Sequence, residues 1–164
     1  QTLHQKHVFP NRLISVTELD YELMGRAFAD AGKSPDWWRQ VGALLVREGK
    51  VIISAFNKHM PHEQSLYALG DPRGNFTWGE RIALSNSLHA EQSVVAQAAN
   101  KGISVCGASL YVTTFPCPIC ASLVTDAGIL RVYYTEGYSL VGASEIFKAH
   151  SIELVHVDMQ NPTS

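Results

Sequence analysis

The spacing of hydrophobic residues predicts a helix and a β-hairpin in the first third of the chain. Between residues 19 and 31, apolar side chains recur close to a 3.6-residue period, with Thr17 as a capping residue and Gly32 at the end. Two continuous apolar runs follow at 41–46 and 51–56, separated by a short turn. Two such runs joined by a tight turn are typical of a hairpin that enters a larger sheet.

The second half alternates helical and extended patterns. The predicted elements are a helix at 89–100, a strand at 109–114, a helix at 117–127, a strand at 130–135, a helix ending at His150 and a strand at 152–157. Alternation of this kind favours parallel pairing, so the sequence predicts an α/β fold. We expect one three-layer α/β/α domain over residues 1–164, with a mixed sheet of about five strands. The hairpin would be antiparallel, the remainder parallel, and residues 1–15 an N-terminal arm.

Residues 58–86 form the longest stretch without a confident regular element. Long loops in compact domains commonly carry function, and this one directly precedes the motif described below. Upstream, Trp37 and Trp38 stand in a break between elements. We expect these rings to fill a core edge or a subunit interface, with base stacking as the alternative.

Composition narrows the class of protein. The chain has 164 residues, of which 46% are hydrophobic and 17% charged, as in ordinary globular domains. A formal net charge of -2 gives no electrostatic footprint for long nucleic acid. No apolar run approaches the roughly 20 residues of a membrane span, so we expect no membrane partner. Three cysteines, two of them in C-x-x-C spacing, favour metal ligation in a reduced compartment, and we expect a cytoplasmic location.

Two short motifs contain metal-binding side chains. His89 and Glu91 stand in the stretch S-L-H-A-E, and Cys117 and Cys120 stand in F-P-C-P-I-C. One imidazole and two thiolates form the ligand set of a catalytic zinc site whose fourth tetrahedral position is open to water. The sequence therefore predicts that His89, Cys117 and Cys120 bind Zn²⁺. Both cysteines would lie on one face of a helix start, where the helix dipole favours thiolate over thiol.

Glu91 is the predicted catalytic residue. It would take a proton from the zinc-activated water, deliver it to a ring nitrogen and later protonate the departing amine. The outcome is hydrolytic loss of ammonia from an amidine carbon. The alternative is a structural zinc site, which needs a fourth protein ligand, and its candidates are His59, His62 and Cys106. Glu91 favours catalysis because a structural site does not need this carboxylate, and we expect Cys106 to be buried and uninvolved.

Together the motifs match the H-x-E and P-C-x-x-C signature of zinc nucleobase deaminases. The chain resembles the cytidine deaminase superfamily, and within it is most similar to the deoxycytidylate (dCMP) deaminases. The resemblance lies in Val41-Gly42-Ala43, Asn57, His89-Ala90-Glu91, Thr113 to Cys120, Ala127-Gly128-Ile129, Val132-Tyr133-Tyr134 and Tyr138. The short cysteine spacing differs from that of riboflavin-pathway deaminases, and the histidine at position 89 differs from the cysteine of the small free-cytidine deaminases.

The resemblance implies a cytidine-deaminase-like fold and a set of substrate contacts. Asn57 would hydrogen-bond the sugar hydroxyl, and the backbone N–H of Ala90 would hold the pyrimidine carbonyl. Phe115 and Tyr138 would wall the pocket. Two of these residues have a structural alternative, in which Asn57 caps a turn and Phe115 belongs to the core.

The long loop offers candidates for a 5′-phosphate contact. They are Lys58, His59, Arg73 and Arg81, each of which is alternatively a solvated surface residue. The preferred function is hydrolytic deamination of a cytosine nucleotide, dCMP to dUMP, in a homo-oligomer whose partner is a small nucleotide. The alternatives are deamination of another base, a nucleoside or a tRNA base, and a non-catalytic zinc-stabilised interaction module.

Overall fold

The computed structural model describes residues 13–15, 17–62, 87–137 and 141–160. Four helices and eight strands lie within these ranges. In chain order they are β1 (Leu13–Ser15), α1 (Glu18–Ala31), β2 (Gly42–Arg47), β3 (Lys50–Phe56), β4 (Lys58–His59), β5 (Ser87–Leu88), α2 (Ala90–Lys101), β6 (Ser109–Thr114), α3 (Pro118–Asp126), β7 (Arg131–Glu136), α4 (Val141–Ala149) and β8 (Glu153–Val157). The predicted helices and strands of both halves are present, with ends that differ by one or two residues.

The main sheet contains six strands in the order β1-β8-β7-β6-β2-β3. β2 pairs antiparallel with both β3 and β6, whereas β6, β7, β8 and β1 run parallel. The predicted mixed sheet with an antiparallel hairpin is therefore confirmed. It has one strand more than expected because Leu13–Ser15, assigned to the arm, pairs with β8. The rest of the predicted arm lies outside the described residues.

Helices cover both faces of this sheet, which confirms the α/β/α layering. Side chains alternate along β2, so Leu44 faces the core beneath α1 while Leu45 faces the larger core on the other side. That larger core contains Val94 of α2, Val124 of α3 and Phe147 of α4. Thr17 caps α1 by accepting the backbone N–H of Asp20, and Gly102 ends α2 in the left-handed conformation, both as predicted from sequence.

α1 approaches the sheet closely at one glycine. A Cβ at Gly42 would lie 1.9 Å from the carbonyl oxygen of Ala27 and 2.8 Å from the backbone nitrogen of Ala31. No side chain fits there, so glycine is required for the close packing of α1 against β2. A buried network adds to this contact, because Tyr111 on β6 donates its hydroxyl to Asp20 at 2.5 Å.

β4 and β5 form a small second sheet. β4 and β5 pair antiparallel, with Lys58 opposite Leu88 and His59 opposite Ser87. The residues between them from 63 to 86 lie outside the described part of the chain. This ladder delivers the chain directly to the first residue of the predicted metal site.

No helix within the described ranges combines the length and apolar character that a membrane crossing requires.

Candidate active site

His89 stands where β5 gives way to α2. Its backbone is extended, with φ -67° and ψ 155°, and it is the N-cap residue of the helix. The backbone N–H of His89 donates to the side-chain oxygen of Gln92 at 2.9 Å, which fixes the entry into the first turn. The backbone of His89 is therefore fixed by the strand before it and the helix after it, which sets where the imidazole begins.

The two cysteines begin α3. Cys117 is the N-cap residue with an extended backbone, Pro118 occupies the first turn, and Cys120 is fully buried. Proline suits this position because its missing N–H is one that the first turn leaves unpaired anyway. The strand β6 ends at Thr114, so the chain turns from the sheet edge into the helix at the first cysteine.

These three side chains converge as predicted. The Nδ1 atom of His89 lies 3.6 Å from the sulfur of Cys117 and 3.3 Å from that of Cys120. Ordinary Zn–N and Zn–S bond lengths at a tetrahedral angle require a separation of about 3.6 Å between such atoms. The donor set and its spacing therefore fit a zinc ion. Within the described ranges this is the one group of three His, Cys or carboxylate residues able to hold a metal.

Hydrogen bonding among the three side chains shifts the pKa values of the two cysteine thiols in opposite directions. A hydrogen bond with Cys120, together with the neighbouring His89, lowers the pKa of the Cys117 thiol to about 4. The same hydrogen bond and burial raise the pKa of Cys120. The pKa of His89 is raised, chiefly by its hydrogen bond with Cys117, while burial and the positive charge of Arg39 act in the opposite direction. The metal-free pair therefore carries its negative charge on Cys117.

Glu91 lies in the first turn of α2 and is only 4% exposed. Burial raises the pKa of its carboxyl, and the nearby charge of His89 opposes that shift. A carboxyl group with a raised pKa beside a metal site is suited to accept and return a proton near neutral pH. The carboxylate is not part of the three-residue donor group.

The fourth-ligand candidates of a structural site do not join the cluster. Cys106 is exposed, so the expectation that it is buried was wrong, because it lies in a surface turn before β6. His62 is exposed as well. His59 is 2% exposed and lies 3.8 Å from the carboxylate of Asp36, and neither of its ring nitrogens has a hydrogen-bond partner.

Two residues that were predicted to contact the substrate, Asn57 and Phe115, also make contacts within the protein. The side-chain oxygen of Asn57 accepts the N–H of Val41 at 2.7 Å, and its amide nitrogen donates to the carbonyl of Arg39 at 2.8 Å. Phe115 is 7% exposed and packs edge-on against Tyr134. The structural alternative is thus present for both residues, although the amide of Asn57 keeps one N–H and one lone pair for a further contact.

The remaining predicted contacts are placed as follows. Ala90 is buried as the first residue of α2, so its N–H is among those that a helix start leaves without an intrahelical partner. Lys58 is partly exposed on β4. Tyr138, Arg73 and Arg81 lie outside the described residues, and their roles stay predictions.

Sequence reasoning missed Arg39. Its charge acts on His89, although 50 residues separate the two in the chain. No motif marks this effect; in the structure, the side chain of Asn57 hydrogen-bonds the backbone of residues 39 and 41.

Comparison with known proteins identifies the family to which this fold and site belong. A family model described as the cytidine and deoxycytidylate deaminase zinc-binding region matches residues 17–136. Deoxycytidylate deaminase of Enterobacteria phage T4 is 37% identical over 78 residues, which are 46% of this chain and 40% of that protein. Deoxycytidylate deaminase of Saccharomyces cerevisiae is 30% identical over 121 residues, 74% of this chain and 38% of that protein.

A solved structure shows the same fold. The dCMP deaminase of cyanophage S-TIM5 in its apo form matches 85% of this chain and 97% of its own, with a TM-score of 0.65 and 23% identity. The curated relatives are longer, and the chain spans about two fifths of their length. The fold and the His-Cys-Cys site together define a zinc-binding α/β/α domain. The chain belongs to the cytidine and deoxycytidylate deaminase family, which confirms the resemblance seen in its motifs.

Proposed function

We propose that this chain is a zinc-dependent hydrolytic deaminase that converts dCMP and water to dUMP and ammonia. The observation that carries the proposal is the buried carboxyl of Glu91 beside a three-residue zinc site. A purely structural site has no use for that group, whereas a hydrolytic site needs a proton carrier at this position. The named function of the phage and yeast relatives supports the choice of substrate.

The residues of the site have separate roles in this reaction. His89, Cys117 and Cys120 would hold the zinc, which when bound supplies a Lewis acid that makes water nucleophilic near neutral pH. Glu91 accepts a proton from the attacking water and passes it to the ring nitrogen beside the reacting carbon. The new C–O bond forms as that nitrogen gains its proton. Glu91 then carries the second proton to the amine, the C–N bond breaks, and ammonia leaves.

The substrate is held by contacts that stay proposals for this chain. The N–H of Ala90 points from a helix start, where partial positive charge suits the pyrimidine carbonyl. Asn57 offers its remaining N–H or lone pair to the sugar hydroxyl. A structure of the S-TIM5 enzyme is described in complex with dCMP and dUMP, and it matches 92% of this chain with a TM-score of 0.64.

Ammonia release from a substrate panel tests the proposal. The zinc-loaded full chain is incubated with dCMP, CMP, deoxycytidine, cytosine, guanine and a tRNA stem-loop. We expect the highest kcat/KM with dCMP. If only the tRNA stem-loop is deaminated, the proposed substrate is wrong but the proposed mechanism stands. If no compound releases ammonia, the non-catalytic module is favoured.

Assembly and location complete the proposal. We infer a homo-oligomer, supported by Trp37 and Trp38, which are 79% and 56% exposed and so do not fill a core edge. Large aromatic rings at a protein surface are typical of interfaces. Light scattering gives the subunit number.

We also infer a cytoplasmic location, because Cys117 and Cys120 must stay reduced to bind zinc.

A further inference from the structure

The helix α2 begins with a hydrogen bond from a metal-site residue to a side chain that belongs to neither motif. The backbone N–H of His89 donates to Oε1 of Gln92 at 2.9 Å. Gln92 is the third residue of α2 and is partly exposed, and His89 is the N-cap residue of the same helix. A glutamine in the third position that accepts from the N-cap residue forms half of a capping box. Gln92 therefore closes the first turn around the residue that carries the imidazole.

The small sheet leaves this N–H group to the helix. The ladder of β4 and β5 ends one residue before His89. Asn57, which precedes β4, donates its N–H to the carbonyl of Val41 at 3.0 Å and accepts the hydroxyl of Ser34 at 2.7 Å. Its backbone groups thus bond residues outside the ladder. The N–H of His89 takes its acceptor from α2 instead, and Gln92 is that acceptor.

The position of the ligating nitrogen depends on this backbone. Nδ1 of His89 is the atom that lies 3.6 and 3.3 Å from the two sulfurs, and only two side-chain torsion angles separate it from the main chain. Cys117 and Cys120 stand together at the start of α3, so their relative placement is set by one helix. His89 comes from a different helix. Because metal ligands must be held within about 0.5 Å of the productive geometry, the imidazole needs a restraint of its own.

We propose that Gln92 is a positioning residue for zinc, which holds the backbone of His89 and thereby sets how tightly the site retains its metal. The proposal rests on the zinc site of the function given above and adds a residue that acts through a ligand. Hydrogen-bond partners of metal ligands typically contribute about 10- to 100-fold to metal affinity. Since this bond is made to the backbone of the ligand and not to its ring, we expect the lower value.

Two substitutions at one position separate the hydrogen bond from the rest of the side chain. Gln92→Met removes the acceptor, while methionine has nearly the same length and helix propensity as glutamine. Gln92→Glu restores an acceptor oxygen, as in the capping boxes that contain glutamate. A fluorescent zinc chelator is titrated into the zinc-loaded full chain. This measurement gives the zinc affinity and the rate of zinc release without any turnover.

We expect Gln92→Met to lower zinc affinity about 10-fold and to release zinc faster than wild type. Gln92→Glu should recover most of this loss. The new carboxylate also attracts a cation, so the comparison is repeated in about 1 M salt, where charges are screened within about 3 Å. Recovery that persists there comes from the hydrogen bond. In the cobalt-exchanged chain, the visible absorption bands of Co²⁺ should change in Gln92→Met and match wild type in Gln92→Glu.

A matched control removes a cap from another helix. Thr17 caps α1, on the opposite face of the sheet, by accepting the N–H of Asp20 at 3.2 Å. Thr17→Ala should lower thermal stability, because it removes a helix cap, but it should leave the zinc affinity and the cobalt spectrum as in wild type. Circular dichroism confirms that each variant is folded.

The outcomes separate this proposal from the proposed function. Wild-type zinc affinity in Gln92→Met, or an equal loss in Thr17→Ala, would overturn the positioning role. A Gln92→Glu variant that recovers nothing in high salt would contradict it as well. If wild type releases ammonia from no compound while Gln92→Met still loses zinc faster, the deaminase function fails and the role of Gln92 stands. If dCMP is deaminated and all variants retain zinc alike, the function stands and the role of Gln92 fails.

Discussion

Replacing Glu91 with glutamine isolates the proton carrier from the metal. Glutamine has nearly the same shape and remains neutral, so it fills the buried position without accepting a proton. Because Glu91 is not among the three metal ligands, we expect Glu91→Gln to keep full zinc occupancy. The variant tests whether this carboxyl acts on the substrate or only fills space.

The size of the effect follows from the role assigned to this side chain. A positioned general acid–base group contributes about 10²- to 10⁴-fold to rate. At about 1.4 kcal/mol for each factor of ten, the expected loss in kcat for dCMP is about 3 to 5 kcal/mol of transition-state stabilisation. KM should change little, since the carboxyl acts on protons that move only during the reaction.

Stability should change in the opposite direction from activity. Burial raises the pKa of Glu91 above its value in the unfolded chain. Such a group favours folding most below its unfolded pKa, and this contribution is lost as the pH rises through the folded pKa. At neutral pH, above the unfolded pKa, the carboxyl therefore stabilises the metal-free fold less than it does at low pH. We expect metal-free Glu91→Gln to melt at the same or a higher temperature than wild type at pH 7, and this advantage should shrink towards pH 4.

Steady-state kinetics, zinc analysis and thermal unfolding give the three readouts. Glu18→Gln is the matched control, because Glu18 is an exposed acid in the first turn of another helix, and it should leave all three unchanged. A Glu91→Gln variant that keeps a wild-type kcat with full zinc would refute the proton-carrier role. A loss of zinc together with activity would instead place Glu91 in metal binding.

Two further variants address the metal and the fold. Cys117→Ala should lose zinc in elemental analysis, because the two remaining ligands are too few to hold the ion. The control Cys106→Ser, at the exposed cysteine, should retain zinc. Full zinc occupancy in Cys117→Ala would contradict the ligand assignment. Gly42→Ala should destabilise the protein by about 3 kcal/mol in urea unfolding, since its Cβ would lie 1.9 Å from a backbone oxygen of α1. The control is Gly25→Ala, because nothing lies within 4 Å of a Cβ at that position. This variant should gain about 0.5 to 1 kcal/mol in the free energy of unfolding, since alanine has the higher helix propensity. Equal effects at the two glycines would be evidence against the close approach at Gly42.

The sequence carried enough local information to predict the elements around the metal. Thr17 and Gly102 mark helix ends through capping chemistry that depends on neighbouring residues only. His89, Cys117 and Cys120 can be proposed as zinc ligands from sequence because residue type and spacing identify zinc chemistry without knowledge of the fold. In the structure their ligand atoms lie within 4.8 Å of one another, close enough to hold a metal ion.

Long-range contacts were beyond the reach of sequence patterns. The short strand Leu13–Ser15 joins the sheet only because β8, more than 130 residues later, offers a free edge. The two bonds of the Asn57 amide depend on the same kind of tertiary placement, because they join Asn57 to backbone atoms of residues 39 and 41. No periodicity marks an asparagine after a strand as the residue that makes these bonds.

The pairing of β4 with β5 fixes the two points at which the connecting stretch begins and ends. Lys58 and Leu88 are joined across the ladder, so whatever length of chain connects them must leave and return at one point. Lengthening a flexible connection twofold costs only about 0.6 kcal/mol in closure entropy. A protein engineer can therefore exchange the stretch between His59 and Ser87 for that of another family member and expect His89 to keep its place at the start of α2.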